Sequence, residues 1–82
     1  MFTVYVLYSK NYNKIYIGFT SDLEQRLLSH NELGKKGWTM KFRPWQLIYK
    51  EEYSLKPEAR RREKELKTAT GRTLIWSLIK AM

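Results

Sequence analysis

The chain has 82 residues, of which 43% are hydrophobic and 15% are aromatic, and its formal net charge is +8. This length predicts a single domain over residues 1–82, with a thin core in which bulky side chains fill a small volume. The absence of Cys and the presence of one His exclude a disulfide framework and any metal site built on thiolates or several imidazoles. Because the chain has no signal-peptide pattern and no apolar run of ~20 residues, we predict a cytoplasmic protein.

The charge imbalance, 16 Lys and Arg against 8 Asp and Glu, predicts contact with a polyanion. Cationic side chains that neutralise phosphates release counterions, and this release favours binding. Solubility is the simpler explanation of a basic surface, and an anionic membrane is a third. The membrane is disfavoured because no predicted helix combines a basic side with a purely apolar one. Nucleic acid is therefore the expected partner.

Two β-strands joined by a short turn are predicted at the start of the chain. Residues 2–8 are rich in β-branched and aromatic types, and residues 14–20 resemble them, which favours a hairpin. Residues 9–13 contain two Asn, which suit a turn.

Two tyrosines and a glycine in this hairpin are candidate functional residues. If Tyr16 lies opposite either Tyr5 or Leu7, then Tyr5 and Tyr16 project from the same face of the sheet. Two such tyrosines are usually packing residues. Gly18, however, weakens a strand interior, and such a glycine often marks the close approach of a ligand or another backbone.

The next segment is predicted to be a helix that begins with a capping box at residues 21–24 and ends before Gly34. Arg26 and His30 are four residues apart, so they share a helical face at the edge of the apolar stripe. They are either an ordinary surface pair or a pair that faces a cleft. The apolar positions are Leu23, Leu27, Leu28 and Leu33.

A basic, irregular stretch follows at residues 35–44, and a strand is predicted at residues 45–53. The cations of the basic stretch are candidate nucleic-acid contacts. In the strand, alternation of apolar and polar residues predicts that one face is buried. The candidate contacts are Lys35, Lys36, Lys41 and Arg43, and the apolar strand positions are Trp45, Leu47 and Tyr49.

Two helices complete the predicted elements. The first begins near Pro57 and runs to about Thr68, Gly71 breaks it, and an amphipathic helix covers residues 72–81. The order β-β-α-β-α-α predicts an α+β fold, a three-stranded antiparallel sheet flanked by three helices, with the third strand beside the hairpin. The apolar positions of these helices are Leu55, Ala59, Leu66, Leu74, Ile75, Leu78 and Ile79.

Glu63 is the candidate metal ligand, because helical spacing puts it on the inner face together with Arg62. A carboxylate that faces inward is costly unless it is paired or binds a metal ion. An ion pair with an inward Arg and a divalent-metal ligand are therefore both open explanations.

At these positions the chain resembles a GIY-YIG endonuclease domain, and in particular its small stand-alone bacterial members. Tyr16-Ile17-Gly18 matches the second half of the family name, and Thr3-Val4-Tyr5 keeps the Tyr of the first half. Arg26 and His30 fall where the family's helix carries its Arg and its His or Tyr. Glu63 falls where the family carries its metal-binding Glu. The resemblance covers nearly the whole chain.

Three departures from the family pattern stand beside these matches. Thr3 replaces the first Gly of the motif, and Phe19 stands where some DNA-repair relatives carry a Lys. The late Asn of several active members is not found in the last predicted helix, a departure that bears on catalysis and not on the fold.

The resemblance implies phosphodiester hydrolysis with one Mg²⁺ or Mn²⁺ ion. Tyr16 would take the proton of the attacking water, and Arg26 would lower the pKa of Tyr16 and stabilise the charge on phosphate. Tyr5 would orient the nucleophile or Tyr16, and His30 would relay a proton or contact phosphate. Glu63 would hold the metal ion, with waters and the scissile phosphate completing its shell.

The resemblance therefore implies an endonuclease that acts on DNA, including branched or damaged DNA, with little sequence specificity. Selection would come from DNA shape or from a partner protein. The alternatives are a non-catalytic nucleic-acid-binding module of the same fold and an interaction protein whose basic face meets an acidic partner. The presence of Tyr16, Arg26 and Glu63 together favours the nuclease, because simple binding needs no carboxylate pointing at phosphates.

Overall fold

The computed structural model describes residues 1–33 and 38–82. Its elements follow the predicted order β-β-α-β-α-α, which confirms the α+β fold with a three-stranded antiparallel sheet and three helices. They are β1 (Phe2–Ser9), β2 (Lys14–Thr20), α1 (Leu23–Leu28), β3 (Gln46–Tyr53), α2 (Lys56–Leu66) and α3 (Ala69–Lys80). A π-helical turn, Ser29–Leu33, follows α1 directly, and a 3₁₀ turn, Trp38–Phe42, precedes β3.

The sheet has β1 at its centre, with the order β2-β1-β3, so β3 lies beside the hairpin as predicted. In the β1–β2 pair, Leu7 lies opposite Tyr16 and Tyr5 lies opposite Gly18. Because residues two apart in a strand share a face, Tyr5 and Tyr16 project from the same side, which confirms the predicted register. The hairpin turn ends at Asn13, whose φ of 53° is one that Asn adopts more readily than most residues.

A bulge interrupts the predicted alternation in β3. Val6 of β1 lies opposite Tyr49, but the next residue, Leu7, lies opposite Leu47, so Ile48 is an extra residue on β3. Leu47 therefore packs on one face of the sheet and Tyr49 packs on the other. The prediction that these two side chains share a face is wrong, because the bulge shifts the two-residue period by one.

The sheet separates two hydrophobic clusters. One face packs against α2 and α3, and its buried members are Val4, Val6, Ile17, Ala59, Leu66 and Ile75. The other face is covered by α1 and the 3₁₀ turn, and its buried members are Tyr5, Leu7 and Trp45. Burial of a large apolar side chain contributes ~1.5–3 kcal/mol, so both clusters hold the sheet in place. Tyr5 belongs to the second cluster, and the packed core therefore fixes its ring.

The first helix differs from its prediction at both ends. Its N-cap is Asp22, whose carboxylate accepts a hydrogen bond from the Gln25 amide at 3.2 Å, so the predicted capping box beginning at Ser21 is wrong by one residue. The regular helix is short, and the chain continues in the π-helical turn that carries His30. The predicted stop at Gly34 lies outside the described residues.

The predicted break at Gly71 is also wrong. α2 ends at Leu66, and Thr68 caps α3 by accepting a hydrogen bond from the Gly71 amide at 3.2 Å. Gly71 lies inside α3, where an added Cβ would meet the Glu65 carbonyl oxygen and lie 2.5 Å from the Leu66 Cα. This glycine lets the two helices approach closely and does not separate them.

The apolar pattern of the last two helices is only partly buried. Ala59, Leu66 and Ile75 lie in the core, whereas Leu55, Leu74 and Leu78 are exposed, so the predicted burial of the latter three is wrong. Over residues 1–33 and 38–82, no helix has the length and apolar character needed to cross a membrane.

Candidate active site

Three aromatic side chains meet on the α1 side of the sheet. The Tyr5 hydroxyl and His30 Nε2 are 2.9 Å apart, and both residues are buried, with 1% and 6% exposure. The ring of Tyr16 lies with its centroid 4.6 Å from that of His30 and 6.2 Å from that of Tyr5. Tyr16 is only half-buried. The cluster therefore has a buried interior, Tyr5 and His30, and an outer member that solvent reaches.

Gly18 makes room for this cluster. It lies opposite Tyr5 in the sheet, and an added Cβ would lie 2.8 Å from the Tyr5 hydroxyl oxygen and 3.1 Å from the Tyr16 ring. In the structure, the close approach expected at this glycine is made by the side chain of Tyr5. No substitution that adds a Cβ leaves the Tyr5 ring in its place.

The hydroxyl of Tyr5 stays protonated at neutral pH. Burial raises the pKa of Tyr5 above its ordinary value of 10.0, with the neighbouring Tyr16 and the Glu63 carboxylate adding to the rise and Arg26 opposing it. Tyr5 therefore acts as a hydrogen-bonding group and not as a base. The side chains of Arg26 and Glu63 are therefore close enough to act electrostatically on the buried interior of the cluster.

His30 is kept neutral in this environment. Burial lowers its pKa from the ordinary value of 6.5, and the positive charges of Arg26 and Arg43 lower it further. In the tautomer that carries its proton on Nδ1, His30 uses Nε2 to accept the hydrogen bond from Tyr5. A neutral imidazole can then take up a proton that arrives through the Tyr5 hydroxyl.

Arg43 and Asn31 hold the turn that carries His30. Arg43 Nε donates to the His30 carbonyl at 2.6 Å, and its Nη2 donates to the Ser29 carbonyl at 3.2 Å. The Asn31 side chain accepts from the Trp45 amide at 2.6 Å and donates to the Trp45 carbonyl at 3.0 Å. The guanidinium of Arg43 is thus engaged with the backbone, and its predicted contact with nucleic acid stays a prediction.

The remaining basic candidate residues are Lys41, Lys35, Lys36 and Arg26. Lys41 is exposed at the end of the 3₁₀ turn, where it is free to meet a large ligand. Lys35 and Lys36 lie outside the described residues. Arg26 is exposed on α1, and it is close enough to the buried cluster to lower the pKa values of both Tyr5 and His30.

The two charged residues on the inner side of α2 have different partners. The Glu63 carboxylate pairs with Lys67 Nζ at 3.2 Å, one turn along the helix, and its side chain is only 15% exposed. Arg62 Nε lies 2.9 Å from Glu51 Oε1, and Nη2 lies 3.1 Å from Oε2. The inward Arg therefore pairs with β3 and not with Glu63.

Glu51 is the centre of a polar cluster that the sequence does not predict. Besides the Arg62 guanidinium, it accepts hydrogen bonds from the hydroxyls of Tyr49 and Tyr53. Burial raises the pKa of Glu51, but the hydrogen bonds from Arg62 and both tyrosines outweigh it and hold the pKa below the ordinary value. The same contact raises the pKa of Tyr53 to about 12. This cluster joins β3 to α2 on the face opposite to Tyr5.

Glu63 offers a single carboxylate to a divalent cation. Across residues 1–33 and 38–82, no group of three or more His, Asp or Glu side chains is arranged to hold a metal ion. One carboxylate suits Mg²⁺, which keeps several waters and is usually bound through one or two carboxylates plus substrate phosphates. The residues present therefore fit a one-carboxylate site, in which a metal ion would compete with Lys67 for Glu63.

The chain belongs to the GIY-YIG catalytic domain family, a nuclease family, whose profile matches residues 1–75. It is similar to the UPF0213 proteins, which are small bacterial members. It is 42% identical to the one from Staphylococcus haemolyticus over 65 residues, which are 79% of this chain and 78% of the relative. It is 37% identical to the one from Staphylococcus saprophyticus over the same shares of each chain. The resemblance seen in the sequence is confirmed.

A solved structure of the same family agrees with the fold. The solution NMR structure of a UPF0213 protein from Bacillus halodurans matches with a TM-score of 0.56 and 28% identity. The match covers 95% of this chain and 85% of that one. The similarity therefore extends over both faces of the sheet and includes the last helix.

Proposed function

We propose that the protein is a metal-dependent endonuclease that hydrolyses DNA phosphodiester bonds with little sequence specificity of its own. The observation that carries the proposal is the buried Tyr5–His30 hydrogen bond with the half-exposed Tyr16 packed against it. A core that needed only packing would have no reason to hold two hydroxyls and a neutral imidazole beside Arg26. A nucleic acid is the expected substrate because the chain is strongly basic, and DNA is the one that the family resemblance implies.

In this proposal Tyr16, Tyr5 and His30 move one proton. A water oxygen attacks phosphorus while the bond from phosphorus to the leaving oxygen breaks. The proton of the water passes to the Tyr16 oxygen, and protons move along the hydroxyls of Tyr16 and Tyr5 to the neutral His30 Nε2. The short Tyr5–His30 distance supports this route, and the lowered pKa of His30 keeps its imidazole neutral before the proton arrives.

In this proposal Arg26 contacts the phosphate, and Glu63 binds the metal ion. Arg26 is exposed beside the cluster, so its guanidinium can contact a phosphate oxygen and stabilise the charge that develops there. Glu63 would hold Mg²⁺ or Mn²⁺, and such an ion, when bound, polarises the phosphate and stabilises the leaving oxygen. Lys67 would then be released from its pair with Glu63 and be free to meet the nucleic acid.

A non-catalytic binding module of the same fold is the second candidate. The observation that favours it is the Glu63–Lys67 ion pair, which gives the carboxylate a partner without any metal ion. The two candidates differ in one respect that experiments can measure: only the nuclease needs the charge of Glu63 for its activity.

The test compares cleavage of plasmid, single-stranded and branched DNA by wild type, Glu63→Gln and Tyr16→Phe, each with and without Mn²⁺. We expect metal-dependent cleavage by wild type and a loss of about two orders of magnitude or more in both variants. Glu65→Gln is the matched control, because it removes the same charge from an exposed position of the same helix. It should cleave like wild type.

Thermal melting of the same proteins separates catalysis from folding. Lys67 is 47% exposed and remains hydrated without its partner, so Glu63→Gln should lower the free energy of unfolding by about 0.5 kcal/mol or less. A stable wild type that cleaves none of the substrates with any divalent ion would overturn the nuclease and leave the binding module.

A further inference from the structure

A groove beside the aromatic cluster crosses the outer edge of β2, the strand at one side of the sheet. Its volume of about 430 Å³ lies within the ~300–1,000 Å³ that is typical of sites for small organic groups. It contains Tyr16, so it begins at the proposed reacting centre. The other residues that matter are two indoles, Trp38 and Trp76, and three cations, Lys14, Lys67 and Arg72.

Packing holds both indoles in place. The ring of Trp38 has its centroid 4.8 Å from that of Phe42 and 5.7 Å from that of Trp45, yet the residue is 47% exposed. Trp76 contacts Tyr8 edge to face, with centroids 6.2 Å apart, and it is also partly exposed. Rings that are fixed by neighbours and open to solvent lose little freedom when a flat group stacks on them.

The cations flank these rings. Lys14 Nζ lies 5.7 Å from the centroid of the Phe42 ring, on the side of the groove that carries Trp38. Arg72 Nε donates to the Lys67 carbonyl at 3.2 Å, and the Lys67 ammonium pairs with Glu63. Lys67 therefore lines the groove and also pairs with Glu63, the proposed metal ligand. Aromatic faces interleaved with cations suit a strand that alternates flat bases with phosphates.

We propose that this groove binds an unpaired nucleotide next to the phosphate that is cleaved at Tyr16, an inference that rests on the proposed nuclease function. Bases inside a duplex are covered on both faces by their neighbours, so a protein ring stacks on a base only where it is unpaired or unstacked. A peptide strand added to the edge of β2 is a competing occupant, but its backbone hydrogen bonds would not need three cations. The enzyme would therefore act where single-stranded segments occur, in DNA or RNA.

The test measures binding in EDTA, so that it does not depend on cleavage. The fluorescence anisotropy of a labelled single strand, of a duplex of equal length and of the same strand in RNA gives the three affinities. We expect the single strand to bind more tightly than the duplex. A strand with one abasic nucleotide should bind about tenfold more weakly when the missing base is the one held in the groove.

Variants locate the effect. Trp38→Ala should weaken single-strand binding about tenfold and should make it insensitive to the abasic position, whereas Trp38→Phe, which keeps a ring, should retain most of the affinity. Arg72→Gln should weaken binding more than Arg61→Gln, because Arg61 is also exposed but lies in a different cavity, on the outer side of α2.

The abasic series needs only the wild-type protein, so the test stands even if Trp38→Ala fails to fold. Equal affinity for single strand and duplex, or binding that no abasic position changes, overturns the groove as a nucleotide site. Base-dependent binding by a protein that does not cleave overturns the proposed nuclease function alone. Cleavage together with abasic-insensitive binding overturns the groove alone. Tighter binding of the RNA strand than of the DNA strand supports the groove and makes RNA its preferred ligand.

Discussion

At the scale of single residues, the buried His30 makes stability depend on pH. Its pKa is lowered in the folded protein, and in the unfolded chain it returns to the ordinary value of 6.5. Above that pH, His30 is neutral in both the folded and the unfolded protein, so its burial costs no stability. As the pH falls below that value, the unfolded chain takes up a proton first, and stability is lost until the folded pKa is reached.

We therefore expect the free energy of unfolding to fall by at most about 1.4 kcal/mol per pH unit as the pH drops from roughly 6.5 towards 5. Thermal melting across this range checks it, with His30→Gln as the control, because Gln keeps a hydrogen-bonding group but does not titrate. The titratable and charged groups that face His30 are Tyr5, Tyr16, Arg26 and Arg43. An equal slope in His30→Gln would contradict the assignment of the effect to His30.

The face on which a side chain lies was predictable where residue type and strand register determine it. Tyr5 and Tyr16 were expected on one face, and their register confirms it. The ion-pair partners of the charged residues on α2 were not predictable, because Glu51 lies near Arg62 only once β3 and α2 have packed together. The role of Gly18 was detected, but its neighbour was not, since the approaching Tyr5 ring lies on another strand.

At the scale of whole elements, the α2–α3 junction depends on Gly71. Helix propensity alone predicts that Gly71→Ala stabilises α3 by about 1 kcal/mol, because Gly is a poor helix former. The structure predicts the opposite sign, because the new methyl group would lie 2.5 Å from the Leu66 Cα and would force the helix backbones apart. We expect a loss of about 3 kcal/mol in the free energy of unfolding.

Chemical denaturation of Gly71→Ala measures this loss, with Thr70→Ala as the matched control. Thr70 is the neighbouring residue, is exposed, and also becomes Ala, so it should change stability little or raise it slightly. A Gly71→Ala protein as stable as wild type would mean that the close helix contact is not needed.

The range of a helix or strand was predictable where a single residue pattern continued along its whole length. The strands of the hairpin match their predicted ranges within one residue. The bulge at Ile48 and the π-helical turn after α1 each change the period within a segment, and no local signal in the residues marks that change. The sequence predicts a helix stop at Gly71, but glycine serves both as a stop and as a contact point between helices, and the residue type alone does not separate the two.

At the scale of the whole molecule, topology was predictable from the order of elements, whereas the groove was not. The groove combines residues of β2, the 3₁₀ turn, α2 and α3, which are far apart in the sequence. Its cations were expected only as part of the net charge of +8. The structure places three of the basic side chains in the groove and four others on a second basic surface, on the outer side of α2. The members of this outer basic surface are Lys56, Arg60, Arg61 and Lys64.

This division leads to a prediction about salt. Phosphate contacts release counterions, so the logarithm of the affinity should fall linearly with the logarithm of salt concentration. With about five phosphates neutralised, affinity for a single strand should fall roughly 100-fold between ~50 and ~200 mM salt, as measured by anisotropy in EDTA. Affinity that hardly changes over this range would mean that phosphate contacts do not dominate binding.

The outer basic surface supplies the control for that measurement. Replacing Lys56, Arg60 and Arg61 by Gln lowers the net charge from +8 to +5, since 8 − 3 = 5, and leaves every groove residue in place. If the strand lies along the groove, these cations act only through the long-range field. The affinity should then fall modestly, and the salt dependence should decrease by less than about one phosphate equivalent. A decrease of two or more equivalents would show that the strand contacts the outer side of α2 directly, because only cations that neutralise phosphates release counterions on binding.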